Sequence, residues 1–121
     1  MGLMPTKETQ RPDTQRCSRG DVALVRAFEF LGKRWNGPLL GNLSAGPAGF
    51  RELSRALAGI SDSVLAERLS ELTAAGLVTR TVEPGPPLSV SYALTDRGDA
   101  LVPALRRISL WAEEHLPTCQ A

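Results

Sequence analysis

Chemistry-bearing side chains are scarce in this 121-residue chain: one histidine, His115, and two cysteines, Cys17 and Cys119. The cysteines stand near opposite ends, with no C-x-x-C spacing, and a lone histidine completes no zinc site. In a reducing compartment they are free thiols. There is no cluster of carboxylates and no glycine-rich phosphate loop, so no reaction attaches to the sequence. The expectation is a protein that is not an enzyme, with no catalytic residue, no metal and no cofactor. Apolar runs fall well short of the roughly 20 residues that span a bilayer, which excludes a membrane partner. The opening MGLMPTKETQRPDTQR lacks the apolar core of a secretory signal. Met1-Gly2 with Thr6 matches a myristoylation pattern too short to carry weight. A cytoplasmic location is expected.

What is present is ordinary for a globular protein: 42% hydrophobic and 22% charged residues, enough for one domain with a core. The net charge of +1 hides an asymmetry. Residues 1–20 hold four basic against two acidic side chains and residues 21–60 five against three. Residues 61–94 reverse this, two against four, and residues 95–121 hold three against four. The basic surplus lies in the first half.

Residues 1–16 read as a disordered tail, 17–116 as the folded domain and 117–121 as a second tail. Asp21 caps a helix on which Val22, Val25, Phe28 and Leu31 share a face. Asn36 is placed to cap a second, short helix, with Pro38 tolerated in its first turn and Leu39, Leu40 and Leu43 as its apolar residues. After the turn Ser44–Gly49, with a brief strand running into Phe50, a third helix covers Arg51 to Leu57 and buries Phe50, Leu53 and Leu57. Ser61 then caps a fourth helix. Its Leu65, Leu69 and Leu72 point inward, while Ser63, Ala66, Glu67 and Ser70 share the opposite face. Gly76 ends it as a left-handed cap. From Leu77 the pattern switches to period two: a strand to Glu83, a stiff tip Pro84-Gly85-Pro86-Pro87, and a returning strand to Leu94. Thr95 caps a long last helix to about Leu116, which Pro103 should bend.

Four helices, a hairpin and a fifth helix make a mainly α fold with a small β-hairpin wing, a winged helix-turn-helix. The third and fourth helices form the helix-turn-helix. The last helix carries more apolar surface than so small a domain needs. Val22 and Val25, with Leu101, Leu105, Ile108 and Trp111, are therefore expected to form a homodimer interface through the N- and C-terminal helices.

The chain resembles the HxlR-type winged-helix transcriptional regulators, relatives of MarR, over residues 17 to 116. The resemblance rests on Cys17, Gly32-Lys33-Arg34-Trp35, Gly46-Pro47, Phe50, Glu52-Leu53, Gly59-Ile60-Ser61, Leu65, Arg68-Leu69, Glu71-Leu72 and Gly76-Leu77-Val78. Pro84-Gly85-Pro86-Pro87, Val90, Tyr92, Leu94-Thr95 and Gly98 continue it in register. It implies a homodimeric repressor on an inverted-repeat operator of double-stranded DNA, with half-sites about 34 Å apart. Some members of the family use the matching cysteine to sense oxidants, quinones or other electrophiles, so the resemblance leaves two readings of Cys17, a thiol sensor or an inert cysteine. Arg16 and Arg19 beside it, and a helix start shortly after, favour the thiolate. Oxidation to a sulfenic acid or to an intersubunit disulfide, with Cys119 of the partner as one resolving thiol, would move the reading helices. Any small-molecule effector is unidentified. Two segments depart from the family pattern: Ser63 where a basic residue is common, and Ser89-x-Ser91 where arginine and glutamate are common.

For DNA, Arg34, Arg51 and Arg55 in the basic half are phosphate candidates, and Ser61, Ser63 and Ser70 candidate donors on the fourth helix. Glu67 would accept from a cytosine amino group or belong to a solvated face. Arg68 would reach a phosphate or pair with Glu52 or Glu71. Arg80 on the wing is either a phosphate contact or a solvated position. Trp35, Tyr92 and Trp111 read as core or interface anchors. The competing function is a protein- or ligand-binding module descended from this fold with weakened DNA affinity, which the acidic 61–94 segment and Ser63 and Ser89 favour.

Overall fold

Leucine spacing explains where the core forms. A computed structural model describes the backbone of residues 11–116 and the side chains of 21–116. The chain divides into two units at the Arg34–Trp35 junction. The first contains helix α1 (Arg11–Leu31). It begins eleven residues before Val22, the first helical position that an Asp21 cap predicts, so Asp21 lies inside a helical turn and the helix takes in positions 11–16. Val22, Leu24, Val25 and Phe28 on α1 are all more than half exposed.

The second unit holds α2 (Asn36–Leu43), β1 (Ala48–Gly49), α3 (Phe50–Ala56), α4 (Asp62–Ala74), β2 (Val78–Glu83), β3 (Ser89–Leu94) and α5 (Asp96–His115). Its core is built of leucine: Leu39, Leu40 and Leu43 of α2, Leu53 of α3, and Leu65, Leu69 and Leu72 of α4, none more than 2% exposed. Leu57, Ile60, Leu77, Val78 and Val102 complete it. Asn36 is the first residue of α2, not its cap, and is fully buried; Trp35 occupies the cap position.

The three strands form an antiparallel sheet in the order β1-β3-β2. Ala48 pairs with Tyr92, and Val78 through Glu83 pair with Leu94 through Ser89 in unbroken register. The brief strand expected before Phe50 is thus the third strand of the wing sheet. Thr95 fixes the far side. Its hydroxyl donates to the Gly76 carbonyl at 2.6 Å and accepts the Gly98 N–H at 3.2 Å, tying the end of α4 to the start of α5. Gly76 carries φ +83°, as its role as a left-handed stop requires.

The long C-terminal helix leaves most of its apolar stripe uncovered within the single chain. Only Gly98 and Val102 of α5 are buried. Leu101 and Leu105 are half-buried, and Ile108, Leu110 and Trp111 are about half exposed. The helix runs through Pro103. No described helix is long and apolar enough to cross a membrane.

Candidate nucleic-acid interface

Serine 61 starts the candidate reading helix as its sequence requires. Its backbone is extended, with φ −81° and ψ 157°, and its hydroxyl accepts the Val64 N–H at 3.2 Å. That bond satisfies one of the free amides of the first turn. The Ser63 hydroxyl lies 3.4 Å from that of Ser61. One turn further, Leu65, Leu69 and Leu72 fix α4 against the core, which leaves Ser63, Ala66, Glu67 and Ser70 exposed together. That arrangement matches the expected outward face.

Helix α3 precedes it across the turn 57–61. Glu52 accepts the Gly49 N–H at 2.8 Å and holds the start of α3. Arg51 and Arg55 project from this helix as exposed side chains. Arg51 lies 3.7 Å from Asp62 at the start of α4, with both side chains more than 60% exposed. Such a surface pair contributes about 0–1 kcal/mol, so a phosphate competes for the guanidinium at little cost. Among the described residues Arg55 has no ion-pair partner.

The other candidates separate. Arg68 does not project outward: its side chain is only 13% exposed and lies 3.2 Å from Glu67 and 3.5 Å from Glu71. Of its two sequence readings the internal ion pair is the one seen, with Glu71 as expected and Glu67 in place of Glu52. Glu67 is thereby partly occupied by Arg68. Arg80 is exposed on β2, directly across the ladder from Tyr92. It is the only cation between Val78 and Leu94. Ser89 pairs with Glu83 near the wing tip, where Val82 and Leu88 are also exposed. Arg34 is exposed and belongs to the first unit. Cys17 falls within α1, but its side chain lies outside the described residues, as does Cys119 entirely.

Sequence spacing does not reveal what Thr95 and Gly98 do here, which is to hold α4 and the hairpin against α5. A Cβ on Gly98 would overlap the Leu77 carbonyl oxygen. A glycine four residues past the wing strand is visible in the sequence, but the opposing carbonyl is not. Among the described residues no group of three histidines, cysteines or carboxylates could hold a metal ion.

The helix-turn-helix also appears in the comparison with known proteins. Residues 30–120 match the model of the HxlR-like helix-turn-helix family. The chain belongs to that family. HxlR-like relatives include the HTH-type transcriptional regulator YodB of Bacillus subtilis, 42% identical over 88 residues, which are 73% of this chain and 79% of YodB. The reduced form of YodB superposes with a TM-score of 0.71 at 39% identity, covering 78% of this chain and 92% of that one. The redox regulator HypR in its oxidised form gives 0.74 at 29% identity, covering 79% and 99%. The chain is a transcriptional regulator of the HxlR type, a helix-turn-helix protein of the MarR-related class.

Proposed function

We propose that the protein is a cytoplasmic homodimeric repressor whose residues 17–116 bind an inverted repeat in double-stranded DNA. The observation that carries this reading is the outward face of α4, where Ser63, Ala66, Glu67 and Ser70 are exposed together, with Arg51 and Arg55 exposed on α3. Ser61, Ser63 and Ser70 supply donors to phosphates or base edges, with Glu67 accepting from a cytosine amino group. Arg51, Arg55 and Arg34 position the duplex, and Arg80 extends the grip to the wing. Arg68 acts from within, orienting Glu67 on that face. Dimerisation covers the apolar faces of the terminal helices, with Val22, Val25, Leu101, Leu105, Ile108 and Trp111 at the interface.

Cys17 is the signal input. Its thiolate attacks the O–O bond of a peroxide, releasing water or an alcohol and leaving a sulfenic acid. A thiol of the partner subunit then displaces water to form a disulfide. Relatives solved in reduced and oxidised forms support this role.

The test is fluorescence anisotropy on DNA from the protein's own upstream region, under reducing and oxidising conditions, beside random DNA. Specific binding lost on oxidation, and retained by oxidised Cys17→Ser, is the expected result. A Cys17→Ser protein that still releases DNA on oxidation removes the switch. Equal affinity for random DNA favours the second reading, a module whose DNA grip has weakened. Ser63, Ser89 and the inward-held Arg68 are the observations on its side.

A further inference from the structure

The two sides of the wing differ in chemistry, and only one of them continues the surface of α4. Arg80 and Tyr92 are cross-strand partners, and they line one cleft with Ala66 and Ser70 of the outward face of α4. Side chains alternate along a strand, and directly opposed residues share a side of the sheet. Val82, two positions beyond Arg80, and its partner Val90 therefore stand on that same side, further towards the tip. Leu88, one position before β3, continues the alternation of Val90 and Tyr92. Val82 is 42% exposed and Leu88 65%. Thr79, Thr81, Glu83, Ser89 and Ser91 take the reverse side.

The side of the wing next to α4 is thus one cation followed by an apolar strip. Glu83 is the only charge between Thr81 and Ser91, and it lies on the reverse side. Beyond Arg80 the strip has no side-chain donor to offer a phosphate. The hairpin and α4 belong to one unit, with Leu72, Leu77 and Val78 buried where they join. A body lying along the outward face of α4 therefore meets the strip as well. A duplex offers apolar surface there, because leucine, proline and similar side chains can press between base steps in the minor groove. We propose that Val82 and Leu88 hold the wing to the duplex by apolar contact in the minor groove and not by phosphate pairing. The contact rests on the DNA-binding reading and adds to it a grip that salt does not weaken, since no counterion is released by an apolar side chain.

The test is fluorescence anisotropy on the upstream DNA, from about 50 to 200 mM salt, for the wild type, Arg80→Gln and a double variant, Val82→Thr with Leu88→Ser. The double variant should lose about tenfold or more in affinity at every salt concentration, the scale of uncovering a leucine and a valine side chain. Its slope of log K against log salt should equal that of the wild type. Arg80→Gln should do the reverse and make the slope shallower by about 1.8 for a dimer. Both substituted residues are exposed, and thermal unfolding checks that the hairpin is kept; Leu88→Ser alone serves where the double variant unfolds early. An unchanged affinity, or a loss that comes with a shallower slope, overturns the apolar contact. A double variant whose sedimentation without DNA differs from the wild type would assign the strip to a protein interface and overturn it too. A wild type without affinity for any duplex removes the DNA-binding reading and the wing contact with it. A wild type that binds DNA beside an indifferent double variant removes the wing contact alone.

Discussion

Single residues decide how the reading helix is presented. Gly98 shows this for stability. Its hydrogen in place of a side chain lets α5 approach the Leu77 carbonyl, and Leu77 itself accepts the Thr95 N–H at 3.0 Å. Gly98→Ala should therefore cost about 2–3 kcal/mol, because the neighbour is backbone and not a movable side chain. Thermal unfolding would read this as a drop of roughly 8 °C or more in Tm; an unchanged Tm would mean that α5 shifts freely. Ser63 shows the same for function. Placing a cation on the exposed face, Ser63→Arg, should tighten binding to random DNA and steepen its salt dependence by about 0.9 per added phosphate contact. An affinity that does not move would place Ser63 away from the backbone of the duplex. Arg68 marks what could not be read from sequence. A residue at the edge of a leucine stripe is consistent with projection outward or with folding back. Only the positions of Glu67 and Glu71 around it decide.

At the scale of elements, the order of helices and hairpin was legible because each carries its own periodicity and punctuation. Ser61 before Leu65, Leu69 and Leu72, and Gly76 after them, define α4 to within a residue. The two-residue strand β1 was legible only as a hint, since its partner β3 lies about 40 positions away and no local pattern announces such a pairing. The start of α1 was misplaced because Asp21 has the chemistry of a cap, while the residues before it continue the helix regardless. The helix nonetheless passes through Gly20, a poor helix former directly before Asp21, so local propensity does not account for the extension. On α5, leucine spacing gave the right stripe, but burial depends on what covers it. Val102 is inside, whereas Ile108 and Trp111, with Trp111 stacked on His115 at 5.7 Å, remain open. If a second copy covers this face, a double Ile108→Glu, Trp111→Glu variant should be monomeric while keeping its helical circular dichroism. Sedimentation equilibrium checks this, and a dimer that persists would remove α5 from the interface.

For the molecule as a whole, the separation of charge sets the division of labour. Of the cations proposed to grip a duplex, Arg34, Arg51 and Arg55 precede α4 and Arg80 alone follows it. The helix itself presents serines and a glutamate held by Arg68. On the proposed reading, recognition by α4 depends on α3 to supply affinity. The most direct measurement is the salt dependence of binding to the upstream DNA, from about 50 to 200 mM, for the wild type and for Arg51→Gln with Arg55→Gln. Removing both guanidinium–phosphate pairs from each protomer should make the slope of log K against log salt shallower by about 3.6 for a dimer, with the sequence preference retained. A double variant with the wild-type slope and affinity would contradict the account, because the duplex would then be held elsewhere.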